Sequence, residues 1–400
     1  MHGEVHRRHR RMMQPSFSRP SVATMIAPMV PLVDQVIDRW QAGRPLDMLA
    51  EMRTLSNWVS ANLLFGHEDF AASLRVGGMI DHLVALDTKR RSWGMVDLNL
   101  PGTPYHRELK HAEILEKTML ELVEQKRRWK TAGEDVLSML IRAADSGSGM
   151  SDKDVIAHSI ALYGASFETT ASALTWTMFL IAQHPRCAAR LLDEVSEGLG
   201  DWPPDLQKLD SLPFLDAVVC ESMRLLPPVP MTFRRVTRQL ELEGVQLDEG
   251  NKVALSAFLT HRDPAVFPHP DRFDPSRWLA SRPDPYEYIP FSAGPRLCLG
   301  AFFAMAELKL VVARVVQKYR LTVVPGAKID GVIHLVLKPK KELPMLACPQ
   351  DRAFGRSLVG GNIGQLVDLA SAETDPYAAS PQNGVAASGT VSTKTAAGVE

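Results

Sequence analysis

The chain is poor in cysteine. Its 400 residues hold four, Cys187, Cys220, Cys298 and Cys348. They are far apart, with no C-x-x-C pair and no Cys/His zinc spacing, which argues against a disulfide framework or a zinc module and fits a reducing cytosol. Excess charge is missing too: 45 basic against 46 acidic residues leave a formal net charge of -1. So even a mixture of signs gives no global attraction to nucleic acid or to an acidic membrane. Nor is there an apolar run of about eighteen residues, the length from which a spanning helix is readable. The nearest stretch, Val22 to Val33, contains two prolines and stops at Asp34. A signal peptide needs an apolar core directly after its basic residues, and MMQPSFSRPS stands there instead.

What is present is ample core and a change of period. Hydrophobic residues make up 45% of the chain, and one large domain can hold 400 residues although the usual prior is smaller. Up to about residue 225 the pattern is helical, as in LDMLAEMRTLSNWVSANLLFG and YHRELKHAEILEKTMLELVEQKRR. The longest such segment starts at Ser151, with Asp154 three residues on as a start signal, and ends at Pro185. About thirty residues make roughly 45–50 Å of helix, enough to cross a domain. After LLPPVP, the stretch LELEGVQLDEGNKVALSAF alternates like strands joined by a turn. DPAVFPHPDRFDPSRW reads as an irregular meander. A helix is expected from about Leu299 to Lys318, and YRLTVV and IHLVL read as further strands. From residue 350 the composition turns to Ala, Ser, Thr and Gly, which predicts a disordered tail over 350–400 behind a domain spanning 1–349.

The most informative stretch is FSAGPRLCLG, residues 291 to 300. Cys298 lies in a Gly-rich loop that runs into a helix, and amide N–H groups with the helix N-terminus stabilise a thiolate. A thiolate is a good iron ligand and pushes electron density onto the metal, favouring O–O cleavage. Arg296 is placed to meet an anionic group beside it. A lone cysteine is more often a small buried residue. The full pattern Phe-x-x-Gly-x-Arg-x-Cys-x-Gly, from Phe291 to Gly300, is far more specific. It resembles the haem-ligating loop of the cytochromes P-450.

That resemblance gives other residues roles. In ESMR, Glu221 and Arg224 share a helix face and match the family's Glu-x-x-Arg pair, which Arg277 of the meander completes as scaffold, not chemistry. In ASFETT, within the long helix, Glu168 and Thr169 match the oxygen-activation motif, the alcohol steadying a water and the acid relaying protons. The bland alternative for Thr169 is a hydroxyl bonded back to a carbonyl one turn earlier. Ser166 stands where the family usually has Gly. Arg234 lies at a propionate-binding position, with Arg235 on the other side of the strand. Ala165 and Val229, the latter between Pro228 and Pro230, line the substrate pocket. Trp93, Met95 and Leu98 are expected above it and hint at an apolar guest.

The opening MHGEVHRRHRR then acquires a meaning. His6 and Arg10 are one turn apart and match the family's pair that reaches the haem propionates, while Arg7, Arg8 and Arg11 face a negatively charged redox partner. A solvated basic face and a nucleic-acid arm are the alternatives, the latter without aromatic interleaving. In the family this helix is not the start of the chain. Roughly 70–90 residues of a family domain of over 400 are therefore expected to be missing upstream, and Met1 reads as an internal start. Without those residues the strand around Val253 to Ala257 would expose an edge.

The expectation is thus a mainly helical α+β domain of the cytochrome P-450 fold, with a small segregated sheet and haem b between the long helix and Cys298. Its implied activity is reductive O₂ activation and insertion of one oxygen atom into an apolar organic substrate in the cytoplasm. Electrons would come from a separate ferredoxin or flavodoxin/reductase, with no nucleic acid and no membrane span involved. The rivals are a haem-thiolate peroxygenase or isomerase, and a haem-free remnant acting as a binding or structural protein.

Overall fold

The computed structural model describes residues 3–370 apart from 67–69, 93–96, 130–134, 147–149 and 201. The N-terminal part is helical. α1 (Gly3–Met13) passes through a 3-10 turn into α2 (Arg19–Ile37), and β1 (Pro45–Asp47) precedes α3 (Met48–Phe65). Then come α4 (Phe70–Ser92), α5 (Pro104–Trp129), α6 (Val136–Asp145) and the long α7 (Asp152–Gln183). α8 (Pro185–Leu199), α9 (Leu206–Asp210) and α10 (Pro213–Leu225) close this part, at the residue where the sequence period changes.

α7 organises the rest. Ser151 and Asp154 form the expected capping box, Ser151 Oγ accepting from the Asp154 amide at 3.2 Å and the Asp154 carboxylate from the Ser151 amide at 2.9 Å. From Thr170 to Gln183 every residue is buried, as befits a helix that is apolar all round. α7 packs on α3 and α13 (Ala301–Lys318), and α2 packs on both of these. By length and composition alone α2 reaches the threshold for a membrane span. In the fold its apolar face, with Val22, Ile26, Met29 and Val33, is buried in this bundle.

The strands are short and antiparallel. β2 (Thr232–Arg235) pairs with β5 (Lys252–Leu255), and β3 (Leu240–Leu242) with β4 (Val245–Leu247). Glu243 and Gly244, at φ 49° and 77°, make the tight turn of the second pair, the geometry that matches strand twist. Among the described residues no strand pairs with the outer edge of β5. The helical turns α11 (Ala257–Thr260) and α12 (Arg277–Ala280) flank the meander. β6 (Tyr319–Val323) pairs with β9 (Pro344–Pro349), which also takes β1.

Two expectations change. IHLVL is not one strand: Ile333 ends β7 (Gly331–Ile333), Leu337 begins β8 (Leu337–Pro339), and the residues between turn the hairpin. The turn buries Val336 and Leu337 and leaves Ile333 and Leu335 outside, a choice that a short apolar run does not reveal. The boundary expected at residue 350 falls inside packed structure. Gln350 donates to the Val316 carbonyl at 2.7 Å, Gly360 bridges to Lys328, and Ile363 of α14 (Ile363–Leu366) and Val367 are buried. A few well-placed apolar side chains suffice to tie down a Gly- and Ser-containing strap. The remainder of the expected tail, 371–400, lies outside the described residues.

Candidate active site

The loop from Phe291 to Gly300 doubles back on itself. Ser292 and Gly294 adopt φ of 62° and 66°, and the Cys298 amide donates to the Phe291 carbonyl at 2.9 Å. α13 starts directly afterwards. The Gly300 N–H is aimed at the Cys298 sulfur, as the Gly-rich sequence predicts. Burial pushes the Cys298 thiol pKa up, while the Gly300 amide and the charge of Arg10 pull it down; the net direction is upward.

Cys298 opens into a cavity of about 950 Å³. One wall is the loop, with Phe291, Arg296 and Gly300, continued by Phe303 and Ala304 of α13. The opposite wall is α7, with Ala165, Ser166 and Thr169, and the end of α3, with Leu63 and Leu64. Val229 and Arg234 close one side. Seven predicted residues besides Cys298 therefore meet around one space: Ala165, Thr169, Val229, Arg234, Phe291, Arg296 and Gly300. Arg235 points away and is exposed. His6 and Arg10 sit half-buried, one turn apart on α1, and are not among the lining residues, although the Arg10 charge is felt at Cys298. Leu98 is exposed, and Trp93 and Met95 lie outside the described residues.

The profile of the cytochrome P450 family matches residues 1–346. The chain belongs to the cytochrome P450 family. It is 33% identical over 355 residues to cyclooctat-9-en-7-ol 5-monooxygenase of Streptomyces melanosporofaciens, covering 84% of this chain and 77% of that protein. Pentalenene oxygenase of Streptomyces avermitilis is 29% identical, covering 84% and 76%. A retinoic-acid-bound cyanobacterial CYP120A1 superposes with a TM-score of 0.78 at 25% identity, over 87% of this chain and 80% of that one. The chain is a P450 monooxygenase that uses haem. Its lining fits that group. One thiol faces the cavity, most walls are apolar, Arg234 and Arg296 stand at the rim for anionic substituents, and no carboxylate lines the space among the described residues.

The three residues expected to form a scaffold meet in the fold. Arg224 donates to both Glu221 oxygens at 2.8 and 2.9 Å, and Arg277 adds a bond at 3.1 Å. The Asp274 amide and the Trp278 indole also donate to Glu221, both at 2.9 Å. Arg224 further binds the carbonyls of His261, Pro270 and Arg272. The meander is thereby pinned to α10 through a fully buried carboxylate, held below the usual range by its two arginines although burial alone would raise it.

Glu168 and Thr169, expected to act together, part company. Thr169 lines the cavity and donates to the Ala165 carbonyl at 2.7 Å, the back-bonded arrangement named above as the alternative. Ser166 donates to Tyr163 O and Ser60 Oγ. Glu168 is not among the lining residues. Its carboxylate pairs with Arg53 at 2.6 Å and Lys338 at 3.4 Å, and Arg53 also holds Asp81. The carboxylate is thus turned toward Arg53 and Lys338 and away from the cavity. Successive helix residues are turned about 100° apart, which is why 168 and 169 face different ways.

Sequence reasoning missed several groups. Arg53 and Lys338 lie more than a hundred residues from Glu168, and no local signal marks them. Glu307 of α13 is fully buried; Ser56 donates to Oε1 at 3.1 Å, Oε2 has no partner, and burial pushes its pKa up to about 8. His9, between Arg8 and Arg10, was given no role, yet it is 2% exposed.

Proposed function

We propose that the protein hydroxylates a cyclic terpene hydrocarbon or its alcohol, with haem b held by Cys298. The observation that carries this reading is the facing of one cysteine, in its Gly-rich loop, by Thr169 across a cavity of about 950 Å³. Sites for drug-sized ligands run to about 1,000 Å³, so this is room for a cofactor and an apolar guest. The substrate class is supported by the names of two relatives, the cyclooctat-9-en-7-ol 5-monooxygenase and the pentalenene oxygenase.

When bound, haem supplies the iron at which dioxygen is reduced and one oxygen atom is passed to carbon. The residues of the chain do the rest. Cys298 would hold the group as thiolate, aided by the Gly300 amide and the Arg10 charge. Arg234 and Arg296, and from α1 Arg10 and His6, would meet its carboxylates. Thr169 trades its bond to Ala165 for a cavity water and orients that water's proton. Glu168 acts at one remove, its proton route opening when Lys338, the longer of its two ion pairs, lets go. Ala165 and Val229 press the guest into place and exclude water. Exposed Arg7, Arg8 and Arg11 suit an acidic electron donor such as a ferredoxin. A cytoplasmic location accords with four free cysteines.

The test supplies ¹⁸O₂, NADPH, a ferredoxin and its reductase to the purified haem protein with cyclic sesquiterpene and diterpene substrates. One ¹⁸O per product molecule is the expected result. Conversion of linear fatty acids with no conversion of any cyclic terpene would overturn the substrate class.

A further inference from the structure

α1 carries Arg7, Arg8, Arg10 and Arg11, and the one residue it buries fully is His9. The ring of His9 stands edge-on to His158 of α7, with centroids 5.0 Å and planes 80° apart. His9 Nδ1 lies 2.9 Å from His158 Nε2. His158 is 9% exposed, and His9 Nε2 has no partner. Two neutral imidazoles make such a contact with one N–H donating to the other ring's lone pair, and one extra proton preserves it. Two extra protons place donor against donor and charge against charge.

We propose that His9 and His158 are positioning residues that anchor α1, and with it the face bearing His6 and Arg10, and that acid releases this anchor. The groups around the pair set the direction. Asp154, one turn before His158, favours the charged form of that ring, but its carboxylate is already engaged by Ser151. The other charged residues of that turn are Asp152, which pairs with Arg127, and Lys153. At α6, packed against α1, the N-cap Asp135 is held by Lys126 and Asp145 by Arg127, and Arg142 is the cation. His6 and Arg10 flank His9 on α1 itself. Burial first, and the neighbouring His9 second, lower the His158 pKa. A histidine with a depressed folded pKa contributes stability that is present above the ordinary imidazole range and is lost as pH falls through it.

The consequence for haem rests on the assignment of His6 and Arg10 made above; the anchor itself does not. The test measures hydrogen–deuterium exchange of the backbone of residues 3–13 in the haem-loaded, full-length protein from pH 5 to pH 8, corrected for intrinsic exchange. Haem transfer to excess apomyoglobin is followed in parallel. Wild type should lose at least tenfold in protection between pH 7.5 and pH 5. His158→Gln, which hydrogen-bonds without titrating, and the double variant His9→Leu/His158→Leu should show no such slope. A pH-independent wild type, or a variant that keeps the wild-type slope, overturns the anchor. Acid-sensitive exchange without faster haem transfer retains the anchor and refutes the assignment of His6 and Arg10.

Discussion

Glu307 offers a quantitative test of the interior between α3 and α13. Its carboxyl is fully buried with a single donor, Ser56, and its pKa rises from the ordinary 4.5 to about 8. Between these values the unfolded chain sheds a proton that the folded protein keeps. Folding therefore becomes less favourable as pH rises from about 4.5, and the loss levels off above about pH 8. Glu307→Gln keeps the shape and the bond to Ser56 but carries no proton in either state. The stability of the variant relative to wild type should then grow by about 2–3 kcal/mol between pH 5 and pH 7. Urea midpoints of the haem-loaded proteins, read by tryptophan fluorescence at each pH, give this difference directly when the slopes agree. A difference that stays level from pH 5 to pH 8, or that falls, refutes a neutral buried carboxyl.

Other substitutions test other joints. Glu221→Ala leaves Arg224 fully buried with its carboxylate gone, which should cost about 3–5 kcal/mol; a urea midpoint near wild type would contradict the pinning of the meander. Gly361 has a φ of 99°, and a Cβ there would lie 2.2 Å from the Ile329 carbonyl oxygen. Gly361→Ala should destabilise the fold by about 1–3 kcal/mol and speed proteolysis within residues 350–370, and indifference would show that this strap is not part of the domain. Arg234→Gln removes a charged donor from the cavity rim and should speed haem release about 10- to 100-fold. Arg235→Gln, on the outer side of β2, should not, and equal effects would contradict the strand register.

What could be read before any coordinates were known follows from distance along the chain. The Cys298 loop, the Ser151 cap of α7 and the Glu221–Arg224 pair are each contained within ten residues, so spacing alone predicts their geometry. Arg277 joined them through a motif, and the structure brings it to Glu221. Glu168 marks the boundary of this reasoning. Its position on α7 was legible, but its facing Arg53 and Lys338 depends on how α3 and β8 pack, which no local pattern encodes. The same holds for His9, whose partner His158 is supplied by another helix. The strap of 350–370 misled for a different reason: composition averages over a window, whereas Phe354, Ile363 and Val367 are few and placed one by one against the core.

The reading depends above all on sulfur at position 298 meeting haem iron. The carbon monoxide difference spectrum of the reduced protein tests this most directly, in wild type and in Cys298→Ser. Wild type should give the long-wavelength carbonyl band of a thiolate-ligated haem, and the serine variant should lose it. A serine variant with an unchanged band, or a haem-loaded wild type without one, would contradict the account.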